Sequence, residues 1–83
     1  MGMTPMTLAA NLAKSEDIKE RALGVAMVAR GLSDDDPATH RAGWDLGSSI
    51  TAAIRYLGVE STPELVEEAT RVAPTISDAM LNR

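Results

Sequence analysis

The strongest fold signals in the chain lie in the segment DPATHRAGWDLGSSITAAIRYLG, residues 36–58. It opens on Asp36-Pro37, an N-cap residue followed by a proline that suits the first helical position. It closes on Gly58 after an apolar residue, as helix C-termini prefer. The apolar residues between these signals lie on one side of a helical wheel: Ala42, Leu46, Ile50, Ala53, Ile54 and Leu57. The pattern predicts a central helix at about residues 37–57, with the outer segments packed against it.

Because of two glycines, this helix has two possible starting points. Gly43 and Gly47 each cost about 1 kcal/mol relative to alanine in a helix interior. If the helix starts at Pro37, both lie at the edge of the apolar stripe and allow another backbone to approach closely. If it starts later, near Ser48 or Ser49, residues 43–47 form a loop. We favour the longer helix because Asp-Pro is a strong start signal.

The segment before this helix, residues 5–30, carries two apolar stripes that are out of phase. A second N-cap signal at Ser15, followed by two acidic residues, lies between the stripes. We therefore expect a break at Lys14–Ser15, with one continuous helix as the alternative. Gly31, next to an apolar residue, is predicted to end this segment.

The last segment opens on Thr62-Pro63, and its apolar residues stay in phase across Pro74. A proline inside a helix removes a hydrogen bond and clashes with the preceding turn. The sequence therefore predicts a kinked helix, or two short helices that share one apolar face.

These signals predict an all-α protein, a small bundle of three to five helices in a single domain over residues 1–83, with residues 1–4 disordered. No strand-like alternation is present in the 83 residues. Phenylalanine is absent and alanine supplies much of the hydrophobic content. Alanine buries little area, so we expect a thin core and a homo-oligomer or a partner protein that completes it.

The composition also restricts the function. A net charge of −4 opposes direct nucleic-acid binding, because such binding relies on lysine and arginine neutralising phosphates. No apolar run approaches the roughly 20 residues of a membrane span, and no secretory signal is recognisable. We expect a cytoplasmic protein without membrane contact.

Catalytic and metal-binding signals are weak. His40 is the single histidine, and its nearest candidate partner, Asp36, is the predicted cap. Asp34, Asp35, Asp36 and His40 could converge on a cation, but they lack the spacing and turn glycine of a calcium loop. The sequence predicts no enzyme, no cofactor and no metal.

The most informative residue is Trp44. In the long helix it points away from the apolar stripe and shares a face with His40, Thr51 and Arg55. Tryptophan beside arginine is typical of binding hot spots. We predict a partner or self-association interface formed by Trp44, His40, Gly43, Gly47, Thr51 and Arg55. Alternatively, the assembly buries this second face and Trp44 belongs to the core.

The residues Trp44-Asp45-Leu46-Gly47-Ser48-Ser49-Ile50 resemble the attachment loop of acyl and peptidyl carrier proteins, although Ser48 replaces the acidic residue of that family. The resemblance implies a phosphopantetheine arm on Ser49. Our leading hypothesis is instead a non-enzymatic adaptor or inhibitor, which binds and occludes a partner macromolecule. Phages and mobile elements carry small acidic inhibitors of this type.

Overall fold

The computed structural model describes residues 5–35 and 46–76, and these residues form four α-helices and a 3-10 turn. This confirms the predicted small all-α bundle. None of the described helices is long and apolar enough to cross a membrane. Residues 1–4, for which disorder is predicted, lie outside the described residues. The elements are α1 (Pro5–Ala13), α2 (Ile18–Asp35), α3 (Leu46–Leu57), α4 (Pro63–Val72) and the 3-10 turn (Ala73–Thr75).

The break between α1 and α2 confirms the predicted interruption at Lys14–Ser15. The Ser15 hydroxyl accepts a hydrogen bond from the Asp17 amide at 3.1 Å, and the Asp17 carboxylate accepts one from the Lys19 amide at 2.9 Å. These bonds satisfy amides at the start of α2 that have no partner within the helix. Arg21 closes the turn, since its guanidinium donates to the carbonyls of Ser15 and Glu16, at 2.9 Å each.

Helix α2 runs on through Gly31 to Asp35, so the predicted end at Gly31 is wrong. A single glycine in a helix costs only about 1 kcal/mol, and nothing between Gly31 and Asp35 is incompatible with helical geometry. Asp35, the last residue of α2, is also the last described residue before the gap at residues 36–45.

The centre of the described bundle is α2, whereas the sequence pattern predicted the segment at about residues 37–57 for that place. Helices α1, α3 and α4 each pack against α2. Residues 22–29, ALGVAMVA, contain no polar side chain, and residues 24–29 are all buried. A helix that is apolar all round is covered on every side. The segment 36–58 contains more charged and capping residues, which are signals for helix boundaries. The apolar run at residues 22–29 instead determines which helix is buried at the centre.

Helices α1 and α2 are in close contact at Gly24. A methyl group built on Gly24 would lie 2.4 Å from the carbonyl oxygen of Ala9 and 2.8 Å from the amide nitrogen of Ala13. Both neighbouring atoms belong to the backbone of α1 and cannot rotate away. Glycine at this position therefore sets the distance between the two helices.

Helix α3 begins at Leu46 and includes Gly47 in its first turn. Residues 37–45, over which the longer helix is predicted, lie outside the described residues. The helix ends as predicted at Gly58, which has a φ of +69°. Its amide donates to the carbonyls of Ile54 and Arg55 at 3.0 and 3.2 Å, which satisfies groups at the end of α3.

Helix α4 confirms the predicted cap at Thr62, whose side-chain oxygen accepts from the Leu65 amide at 3.1 Å. The α-helix ends at Val72, and a 3-10 turn carries the chain past Pro74. Leu65, Ala69, Ala73 and Ile76 are buried on one side. The interruption of the α-helix before Pro74 and the common apolar face agree with the prediction as far as Ile76. Residues 77–83, over which the predicted apolar face continues, lie outside the described residues.

The helices enclose a core of small aliphatic side chains, as expected from the composition. Eight of the fifteen buried hydrophobic residues in the described part are alanine. The larger members that are fully buried come from three different helices: Val25, Val28, Ile50 and Leu65. Arg30 of α2 adds a polar connection, because its guanidinium donates to the carbonyls of Ala73 and Ile76, at 3.2 Å each.

Candidate functional site

The described part of the predicted interface lies on one exposed row of α3. Gly47, Thr51 and Arg55 follow one another at four-residue spacing, and all three are exposed. The Thr51 hydroxyl donates to the carbonyl of Gly47 at 3.0 Å, which directs that side chain along its own helix. These residues, together with the exposed Tyr56, which points about 100° around the helix from Arg55, are called the outer face of α3 below.

Tyr56 is the residue of this face that sequence reasoning missed. Its side chain is 64% exposed, the highest value among the exposed large hydrophobic residues of the described part. It follows Arg55 directly, so an exposed aromatic ring and an exposed guanidinium lie at the same end of α3. A signal was available in the sequence, since this single tyrosine falls outside the apolar stripe of its helix.

The remaining members of the predicted interface, His40, Gly43 and Trp44, lie outside the described residues. The same holds for Asp36 and for the side chains of Asp34 and Asp35, so the cation-site hypothesis stays open. Among the residues that the structure does describe, no three histidine, aspartate or glutamate side chains are grouped closely enough to hold a metal ion.

Close backbone approach is found at Gly24, a position for which it was not predicted. Gly43, one of the two glycines for which it is predicted, lies outside the described residues. Gly47 is exposed in the first turn of α3, at the edge of the helix face that carries the buried Ile50 and Ile54. Whether a partner backbone approaches it there stays a prediction.

Ser49, the attachment residue of the carrier-protein hypothesis, lies inside the bundle. Its exposure is 0%, and its hydroxyl has no hydrogen-bond partner in the structure. Attachment of a prosthetic arm requires a hydroxyl that an enzyme can reach. The burial of Ser49 therefore counts against the carrier hypothesis.

A cleft of about 360 Å³ lies where the α1–α2 turn meets the α3–α4 turn. Lys14 and Arg21 line it together with Glu16 and Glu60, so cationic and anionic groups alternate around the opening. The hydroxyls of Ser15 and Thr62, which also line the cleft, already accept hydrogen bonds from helix amides. This mixed lining favours neither an anion nor a cation.

The exposed side of α4 is predominantly acidic. Glu64 and Glu67 are exposed, while Glu68 forms a two-point ion pair with Arg71 of the next turn. The hydrogen bond from Arg71 lowers the pKa of Glu68, partly opposed by desolvation, with smaller contributions from the charges of Arg71 and Lys19. The carboxylate therefore stays ionised to lower pH than an isolated glutamate.

Comparison of the chain with protein-family models, with curated proteins and with solved structures found no match. Two described surfaces remain as candidates for recognition: the outer face of α3 and the acidic side of α4. The outer face of α3 combines an exposed ring, an exposed guanidinium and small neighbouring residues. It is therefore the candidate site.

Proposed function

We propose that this protein is a non-enzymatic interaction module, a small acidic adaptor or inhibitor that binds and occludes a partner macromolecule. The partner is another protein, and self-association of the chain through the same surface is the simplest form of the interaction. The protein acts in the cytoplasm, without nucleic acid or membrane contact. Its binding surface is the outer face of α3.

The exposure of Tyr56 beside Arg55 carries this proposal. An exposed tyrosine gains little from the fold, since most of its apolar area stays in water. Tyrosine and arginine are among the residues that contribute most at protein interfaces, because each offers a large contact area with a polar end. Their adjacency on α3 supports a role in recognition.

The neighbouring residues of the row favour a helical partner segment. Gly47 and Thr51 project little from α3, so a second helix could lie close to its first two turns. Arg55 would then contact the same helix at its other end, and Tyr56, about 100° further around α3, would contact an adjoining part of the partner. Small residues along a crossing allow helices to pack closely, as Gly24 does between α1 and α2.

The acidic side of α4 supports a partner with basic residues around the contact. Glu64 and Glu67 are exposed there, and the whole chain has a net charge of −4. Charges at the rim of an interface mainly raise the association rate and select the partner. We assign to α4 this steering role and to the outer face of α3 the direct contact.

The test is the solution mass, measured by light scattering on a size-exclusion column over a wide concentration range. We expect a dimer or larger assembly for the unaltered chain and a monomer for the double variant Arg55→Ala/Tyr56→Ala. A matched double variant on α4, Thr70→Ala/Arg71→Ala, replaces an adjacent exposed pair that also contains an arginine, keeps Glu64 and Glu67, and should keep the mass of the unaltered chain. Far-UV circular dichroism should remain helical for both.

If the unaltered chain is a monomer, the same variants are compared in crosslinking and capture from the native host. Proteins retained by the unaltered chain and by the α4 variant, but lost with the α3 variant, would support the proposal. Equal retention by all three would contradict the assignment to α3.

Trp44 extends this test to the predicted part of the interface that lies outside the described residues. We expect Trp44→Ala to lose assembly or partner binding with its helical circular dichroism largely retained. Global unfolding would instead place Trp44 in the core.

A further inference from the structure

The Ser49 hydroxyl differs from three threonine hydroxyls of the described helical residues. The hydroxyls of Thr51, Thr70 and Thr75 each donate to a backbone carbonyl three or four residues earlier, at 2.6 to 3.0 Å. The Ser49 hydroxyl has no such partner, although the residue is completely buried. A buried polar group without a hydrogen bond loses its contacts with water and gains nothing in return. The closed position of Ser49 is therefore unfavourable.

The same half of α3 is composed of weak helix formers. Its first residues after Leu46 are Gly-Ser-Ser-Ile-Thr, whereas the second half is Ala-Ala-Ile-Arg-Tyr-Leu. Glycine, serine and the β-branched residues rank low in helix propensity, and alanine ranks first. The first turn also lacks an acidic residue that would favour the helix N-terminus. The low helix propensity and the missing hydrogen bond of Ser49 thus both destabilise the first half of α3.

We infer that the first half of α3, residues 46–51, opens locally while α1, α2 and the second half of α3 stay folded. Opening exposes the Ser49 hydroxyl to water, with which it can form hydrogen bonds. It also exposes Ile50, which is buried in one cluster with Val25 and Val28 of α2. The opened form offers apolar surface that the closed bundle hides.

This local equilibrium is a conformational device built into the fold. A ligand that binds the exposed surface of the opened form stabilises that form and shifts the populations toward it. The inference concerns the interior side of α3 and does not depend on binding at the outer face.

Amide hydrogen exchange measured by NMR tests the inference on the unaltered chain. We expect the amides of Ile50 and Thr51 to exchange at least about tenfold faster than those of Ile54 and Leu57, after correction for intrinsic rates. Because helix ends fray in general, two substitutions identify the cause. Ser49→Ala removes the unpaired hydroxyl and should slow exchange at Ile50 and Thr51 by about tenfold.

The matched control is Ser48→Ala, the same change at the neighbouring, half-buried position. It alters helix propensity equally and should change these rates only by about twofold. An equal effect of both substitutions, or exchange of all four amides at one common rate, would overturn the inference.

Thiol labelling gives a second measurement, because the chain contains no cysteine. Ser49→Cys and Ala53→Cys place thiols at two positions with 0% exposure, one turn apart on α3. Tyr56→Cys provides the rate of a freely exposed thiol. Labelling of Ser49→Cys at least about tenfold faster than Ala53→Cys is expected, and equal rates at the two buried positions would contradict local opening.

Discussion

The α carbon of Gly24 in α2 lies so close to the Ala9 carbonyl of α1 that an added methyl group would be 2.4 Å from that oxygen. Gly24→Ala therefore forces α1 away from α2. The helix-propensity gain of about 1 kcal/mol is outweighed by overpacking, which typically costs about 1–3 kcal/mol and more where backbone atoms clash. We expect a net loss of stability, measured by urea denaturation with circular dichroism.

Gly31→Ala is the matched control for that substitution. Gly31 lies in the same helix, but among the described residues no atom outside the helix's own backbone is within 4 Å of an added methyl group. The propensity gain then stands alone, and we expect the variant to be more stable by up to about 1 kcal/mol. Similar changes in both variants would show that contact with α1 is not what requires glycine at position 24.

Arg30→Met should loosen the C-terminal part of the described bundle. The Arg30 guanidinium donates to the carbonyls of Ala73 and Ile76, residues more than forty positions away in the chain. Losing hydrogen bonds to a charged donor typically costs about 1.5–3 kcal/mol. Amide exchange at Ile76 should accelerate together with the drop in unfolding free energy.

The comparison variant is Arg21→Met. Arg21 also donates to two carbonyls, those of Ser15 and Glu16, but both belong to the adjoining turn. We expect a smaller loss of stability and no change at Ile76. If Arg21→Met disturbed Ile76 as strongly, the proposed local difference between the two arginines would be wrong.

Thr62→Ala should destabilise α4 by about 1 kcal/mol, because the Leu65 amide loses its acceptor. Thr62→Ser retains the hydroxyl and should restore most of the stability. Thermal unfolding of the two variants under identical conditions provides the measurement. Equal stability of the alanine and serine variants would argue against a stabilising cap at this position.

The Glu68–Arg71 pair predicts a pH dependence of known sign. Because Arg71 lowers the pKa of Glu68 in the folded chain, the pair stabilises the fold above the ordinary pKa of glutamate. That contribution is lost as the pH falls through the lower pKa of the folded state. In Arg71→Gln, an NMR titration of the Glu68 side chain should show its pKa shifted upward. An unchanged titration would remove Arg71 as the cause.

Helix ends were the most predictable feature of the chain. Thr62-Pro63, Gly58 and the Lys14–Ser15 break all mark real boundaries, because caps, proline and a left-handed glycine act on the neighbouring backbone alone. Gly31 was misleading because its conformational freedom also concerns only its own backbone. A glycine permits a helix to end but does not require it.

The position of each helix in the bundle was less predictable, because it depends on contacts between distant residues. The boundary signals placed the segment at about residues 37–57 at the centre, whereas the uncharged run at residues 22–29 belongs to the buried helix α2. The distance between Gly24 and α1 could not be predicted from residue spacing. Ser49 shows the same limit. Its place in the sequence resembled an exposed attachment site, whereas its direction from α3 places the hydroxyl inside the bundle.

The outer face was predicted in part. Thr51, Arg55 and Gly47 are exposed in one row, as the helical spacing indicated. Tyr56 was not predicted, because on a helical wheel it lies apart from both the apolar stripe and the row that contains Thr51 and Arg55. The function of this face, and the contribution of Trp44, stay predictions.

The alanine-rich interior also affects how the protein responds to temperature. Unfolding raises the heat capacity in proportion to the apolar area newly exposed to water. An alanine exposes far less of that area than a leucine or isoleucine does. The curve of stability against temperature should therefore be shallow for this bundle.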